Sequence, residues 1–160
     1  MIFHVSIDAD QPQQVAEALA ELWGGIATPF PPVIEGSWIA MAGDARNSGV
    51  EVYPRGTKLV AADGDADAYG VIDAPDRRSA THIAIATDLT VDAVRAIAAR
   101  HGWPIKYRKR GDAFGVLELW IEGVRMIEVL TPEMQAEYLD NLSVAKWQQM
   151  LVSMGMAEAA

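Results

Sequence analysis

The sequence contains no cysteine and only three histidines in 160 residues. Without a thiol there is no disulfide, no thiolate metal site and no cysteine nucleophile. Imidazole chemistry falls to His4, His82 or His101 alone. Basic side chains are scarce as well: 13 Lys and Arg stand against 22 Asp and Glu, for a net charge of −9. Nucleic acid and anionic membrane surfaces are gripped by clustered Lys and Arg, so neither is an expected partner. The excess negative charge is read as a solubility device. No apolar run is long enough to span a bilayer. The start, Met1-Ile2-Phe3-His4-Val5-Ser6-Ile7-Asp8, lacks the basic segment and long apolar stretch of a secretory leader. The expected compartment is the cytoplasm.

Several catalytic signatures are missing too. Gly56-Thr57-Lys58 lacks the rest of a phosphate-binding loop, and no Gly-x-Ser-x-Gly elbow occurs. Asp63, Asp65 and Asp67 resemble the start of a calcium loop, but Ala68 and Ala74 stand where a glycine and a bidentate Glu are required. That stretch reads as a solvated acidic loop.

What is present is a 51% apolar composition, enough for a real core, arranged in a pattern that occurs twice. Residues 2–8 alternate, with Phe3, Val5 and Ile7 on one face and His4, Ser6 and Asp8 on the other, which predicts a half-buried strand. Asp10 is positioned as a helix N-cap with Gln13 at the capping-box position. Val15, Ala18, Leu19, Leu22 and Trp23 then recur at helical spacing until Gly24-Gly25. A short strand or loop at 26–35 and strands at 37–42 and 49–53 follow, the last two joined by a turn over 43–47. After residues 55–79, rich in Gly, Asp and Pro and read as a surface linker, the order restarts. A strand at 80–87 precedes a helix capped by Asp88 or Thr90 and ended by Gly102, then strands at 104–109, 114–121 and 124–130, with Glu122-Gly123 as a tight turn. Thr131-Pro132-Glu133 opens a C-terminal helix, and Ser143 caps a final one. The expected division is a first βαβββ module over 1–54, a linker over 55–79, a second βαβββ module over 80–131 and a helical extension over 132–160, all one globular unit.

The repeat also places four chemically significant residues at equivalent positions. His4 and His82 are 78 residues apart, as are Gly24 and Gly102; Glu51 and Glu128 are 77 apart. Self-similarity at a nearly constant offset marks one supersecondary unit used twice. Val50-Glu51-Val52 and Ile127-Glu128-Val129 turn their apolar side chains toward the helices, so both Glu side chains point to the opposite face, and both His follow by the same alternation. A lone strand Glu ordinarily faces solvent or an Arg, and a lone His is ordinarily hydrogen-bonded structure. Four such residues at two equivalent positions instead suggest one divalent ion held by His4, Glu51, His82 and Glu128, a nitrogen and oxygen set suited to Zn, Ni, Mn, Fe or Co.

These residues resemble the vicinal oxygen chelate superfamily, which includes glyoxalase (lactoylglutathione lyase), extradiol dioxygenases, fosfomycin-resistance proteins and bleomycin-binding proteins. The resemblance runs over about residues 1–132, through His-Val-Ser-Ile at 4–7, Val-Glu-Val-Tyr at 50–53, Thr-His-Ile-Ala at 81–84 and Ile-Glu-Val at 127–129. It implies an α+β fold of two βαβββ modules in a curved, barrel-like mixed sheet with helices outside, plus C-terminal helices. The ligand order His, Glu, His, Glu is that of the glyoxalase branch. The sequence departs from the family in having Leu-Ala-Glu-Leu-Trp-Gly-Gly at 19–25 where many members carry an aromatic pair before Leu-Gly. It also has Ile121-Glu122-Gly123 where Asp-Pro-Gly is common.

The implied activity is a lyase or isomerase reaction on a small carbonyl substrate through a metal-bound enediolate, with Glu51 or Glu128 as general base. Repeat symmetry leaves the choice of base open. Tyr53 and the alternating Lys106, Arg108 and Arg110 are candidate substrate contacts; the competing reading of the basic run is a solvated strand end. Glu118 and Trp120 sit on a neighbouring strand, Trp120 as packing. His101, at a helix C-terminus, suits the dipole there. The alternatives are a dioxygenase-like iron(II) enzyme and a non-catalytic small-molecule (drug-like) binding protein of the same fold. Modules of this kind pair within or between chains. The expected assembly is a homodimer, with Tyr138, Leu139, Leu142, Trp147 and Leu151 at a module edge or dimer contact.

Overall fold

The computed structural model describes residues 3–30, 33–45, 47–60, 69–73 and 82–153. The alternating N-terminal segment forms β1 (His4–Ala9), and the periodic one forms α1 (Pro12–Trp23). They are followed by β2 (Ile26–Pro29), β3 (Trp38–Met41) and β4 (Gly49–Pro54). The second module repeats the order as β7 (Ile83–Ala86), α2 (Val91–His101), β8 (Ile105–Arg110), β9 (Phe114–Ile121) and β10 (Arg125–Leu130). Between the modules lie β5 (Thr57–Val60) and β6 (Tyr69–Ile72), and α3 (Pro132–Asn141) and α4 (Val144–Ser153) close the chain.

The two modules have the same topology. Their sheets run β1-β4-β3-β2 and β7-β10-β9-β8, each with its first and last strands parallel and the rest antiparallel. The crossover that a parallel pair requires is supplied by α1 and α2. Among the described residues the two sheets stay separate and do not close into a barrel. The helix-facing side chains of both, including Val50, Val52, Leu117, Leu119, Ile127 and Val129, merge with Leu19, Leu22, Val94 and Ile97 into one core. Each of these side chains is essentially removed from water, and such burial stabilises by about 1.5–3 kcal/mol apiece. No helix among the described residues is long and apolar enough to cross a membrane.

Local details depart from the sequence-based expectations in two places. The stretch read as irregular linker carries the β5–β6 hairpin. Its two strands are only four residues long, too short for periodicity to reveal them. Asp10 does not cap α1: the flanking residue is Gln11, without a side-chain cap. Glu122, from the β9–β10 turn of the other module, instead accepts from both Asp10 N and Gln11 N at 2.7 Å. A carboxylate at a helix N-terminus satisfies orphan N–H groups and suits the dipole wherever in the chain it comes from. Glu122 reaches it from the three-residue connection between β9 and β10, where Glu122 and Gly123 both adopt positive φ, 52° and 71°.

Other local readings agree. Thr90 accepts from Ala93 N, Gly24 and Gly102 are left-handed C-caps, and Ser143 accepts from Lys146 N. Helix α3 lies on the second module: Met134 is buried, and Tyr138 meets Phe114 edge to face at 4.9 Å. Asp63, Asp65 and Asp67, and the side chain of Trp147, lie outside the described residues.

Candidate functional site

Parallel pairing of β1 with β4 sets Ser6 beside Glu51 and Asp8 beside Tyr53. Period-two alternation then puts His4, Ser6, Asp8, Glu51 and Tyr53 on the face away from α1. The Glu51 carboxylate is buried, and its contacts divide sharply between its two oxygens. Oε2 accepts from Ser6 Oγ at 2.8 Å and from Tyr53 Oη at 2.6 Å. Oε1 lies 3.7 Å from His4 Nε2. Two hydroxyl donors offset the desolvation of the carboxylate and lock its rotamer. One oxygen is left beside an imidazole whose side chain is 59% exposed. Burial first, and then donation to Glu51, push the Tyr53 phenol up to about 12, so it stays a neutral donor. In an alkaline titration of the metal-free protein followed by tyrosinate absorbance, Tyr53 is expected to ionise near pH 12. Glu51→Gln should bring it back toward the usual value of about 10. Unchanged titration in the variant would rule out the carboxylate as a cause.

In the second module Glu128 pairs with Ala84 on β7 and with Glu118 on β9. Lys106, Arg108 and Arg110 alternate along β8 on the same face as Glu118 and Glu128. Arg110 donates through Nε at 3.2 Å and through Nη2 to Glu128 Oε1, and its Nη2 lies 2.9 Å from Glu118 Oε1. Arg108 Nε is 3.9 Å from Glu118, and Lys106 is exposed. The basic run is therefore more than a solvated strand end: two of its members meet acidic partners.

His4 and His82 line one cavity of about 550 Å³, whose wall includes Phe3, Trp23, Val50 and Ile83. A smaller cavity of about 230 Å³ opens beside Ser6, Tyr53, Thr57 and Arg125. Thus the four expected ligands are not gathered at one point. His4 and Glu51 are neighbours, His82 shares the cavity with His4, and Glu128 is engaged by Arg110. Among the described residues no three His, Asp or Glu side chains converge as a metal-binding group. The donor chemistry nonetheless fits a divalent ion on the first module, where an imidazole and one carboxylate oxygen are presented together. On the second module the corresponding carboxylate already holds a cation.

Alternation did not reveal Ser6 as a partner of Glu51, although it predicts both residues on one face. It also missed a cluster joining the modules. Arg55, whose side chain is 8% exposed, meets Asp8 at 3.1 Å, Asp10 at 3.0 Å and Glu122 at 2.5 Å, and Arg125 also binds Asp8. Burial pushes the Asp8 carboxyl up, but the Gly56 N–H and the Arg55 and Arg125 charges outweigh it and hold Asp8 below its usual value. No sequence spacing links these residues, because they come from three separate segments. His101 stacks on Trp103 at 4.6 Å, a structural role.

No protein-family model matches the sequence, and no curated protein does. Solved structures do match. The chain is similar to the fosfomycin resistance protein FosX of Listeria monocytogenes, with a TM-score of 0.56 at 10% identity over 88% of this chain and 97% of that one. It is similar to lactoylglutathione lyase of Agrobacterium tumefaciens, with a TM-score of 0.52 at 12% identity over 81% and 91%. A trypanothione-dependent glyoxalase I of Leishmania major matches at 0.50, with 16% identity over 98% and 99%. The chain therefore shares the fold of these fosfomycin-resistance and glyoxalase structures.

Proposed function

We propose that the chain is a metal-dependent enzyme of glyoxalase type, a lyase or isomerase acting on a small carbonyl compound, and that it works as a homodimer. The observation that carries this reading is the His4–Glu51 pair, with one carboxylate oxygen tied off by Ser6 and Tyr53 and the other presented with an imidazole on an open face. His4 and Glu51 would hold one side of a divalent ion and His82 and Glu128 the other. Those two pairs come from two modules, and a second copy facing the exposed His4 would bring them together. The bound ion would supply Lewis acidity toward a substrate carbonyl.

The chain's own groups do the rest. Glu51 or Glu128 takes the proton from the carbon next to the carbonyl. At Glu51 Oε1 would serve both roles in turn, because Oε2 is occupied by two donors, so Glu51 would let go of the ion to act as base. Arg108 and Lys106 border the second module's face and would meet an anionic substituent of the substrate. The apolar wall of the larger cavity would exclude water from the rest of it.

Metal analysis by mass spectrometry of the untagged protein is expected to find a near-stoichiometric ion that is largely lost in His4→Ala, with a dimer mass by light scattering. No ion in either protein after attempted loading would sink the reading. The apolar lining of the larger cavity favours a second one in that case, a small-molecule-binding protein without turnover.

A further inference from the structure

The two modules treat their equivalent carboxylates differently. By the repeat, Glu51 corresponds to Glu128, Ser6 to Ala84 and Tyr53 to Leu130. The two hydroxyls that hold Glu51 are thus apolar side chains beside Glu128. The residue paired with Glu51 on the neighbouring antiparallel strand is Ile39, whereas Glu128 faces Glu118. Two carboxylates directly opposed across an antiparallel pair repel. Arg110 lies against both and gives two N–H groups to a single oxygen of Glu128.

We propose that Arg110 is the resident counter-cation of Glu128 and controls whether that carboxylate is available to a divalent ion. The proposal rests on the metal-site reading above. An ion and a guanidinium compete for the same atom, Glu128 Oε1, and at contact distance their like charges exclude each other. Arg110 has somewhere to go. Its side chain is 36% exposed at the end of β8, and Glu118 can keep it after Glu128 is released. The first module therefore presents its donor pair open, and the second presents its carboxylate closed by an internal cation. Arg108 supplies the comparison within the same protein. It carries the same charge on the same face but approaches only Glu118, at 3.9 Å.

The test is a Co(II) titration of metal-free wild type, Arg110→Met, Arg110→Lys and Arg108→Met, read by visible cobalt absorption and by calorimetry. Circular dichroism melting of each variant establishes that it is folded. Arg110→Met is expected to bind about tenfold tighter or more, and Arg108→Met to stay within about threefold of wild type. Arg110→Lys keeps the charge without the fork, and is expected within about threefold of wild type. Arg110→Gln, which also removes the charge, is expected to show the same gain and reads the competition if the Met variant fails to fold. Adding Glu128→Gln to Arg110→Met should abolish the gain. An equal gain in Arg108→Met would reduce the effect to net charge and overturn the proposal. Unchanged affinity in Arg110→Met, with wild-type binding that His4→Ala removes, would overturn the proposal and leave the metal site standing. No binding in wild type and Arg110→Met alike would overturn both.

Discussion

Arg55→Ala is expected to destabilise the protein by about 3–5 kcal/mol, because it leaves Asp8, Asp10 and Glu122 facing one another without their shared cation. For a chain of this size the loss lowers the melting temperature by on the order of 10 °C. Arg55 is the hub through which the first module's strand β1 and its helix entry are tied to the β9–β10 turn of the second. Its removal should loosen the seam between modules before it affects either sheet. The effect has a pH signature. The Asp8 carboxyl is held below its ordinary value, so its contribution is fully present above about pH 4 and is lost as the pH falls through the folded value. In Arg55→Ala the acid-side fall in stability should be shallower, since one of the charges that depresses Asp8 is gone. Melting curves between about pH 2.5 and 7 check both points. A variant as stable as wild type at neutral pH would mean that the network contributes no net stability.

Gly25→Ala is expected to cost at least about 3 kcal/mol, more than any ordinary surface substitution. A Cβ at this position would sit 2.0 Å from the Met41 carbonyl oxygen and 3.1 Å from Ala42 Cα. Both are backbone atoms of the segment against which β2 pairs, and Ile26 pairs directly with Met41. Backbone cannot turn aside as a side chain can, so β2 must move off β3 or the strand pair must open. Gly24, its neighbour, fails for a different reason. Nothing lies within 4 Å of a Cβ there, but its φ of +67° strains any residue with a side chain. Gly24→Ala should therefore cost only about 1 kcal/mol. Denaturant melts of the two variants side by side separate contact from conformation. Equal losses would show that close approach at Gly25 is not the main reason a glycine is needed there.

Because these residues lie far apart in the chain, neither effect is visible in the sequence. Strand and helix order was legible there because both depend on local periodicity: Val50 and Val52 alternate with Glu51, and Val15, Leu19 and Leu22 recur on one helical face. The repeat carried further. It placed His4 with His82 and Glu51 with Glu128, and the structure has both Glu side chains on the sheet faces away from the helices. It could not say that the two positions would differ in partners. Ser6 and Tyr53 are on the right strands and faces, but whether their hydroxyls reach Glu51 depends on the parallel register of β1 with β4. Asp10 looked like a helix cap from its neighbours alone, and Glu122 took that task from 112 residues away.

The sequence by itself determined two similar modules, their element order, the helix ends at Gly24 and Gly102, and which face each charged strand residue occupies. Those properties follow from backbone geometry acting over a few residues. Only the tertiary structure decided which oxygen of Glu51 is free, which carboxylate Arg110 holds, and how Arg55 joins the modules. Each is a contact between segments distant in the chain, and its geometry is set by strand register and core packing that no local pattern encodes.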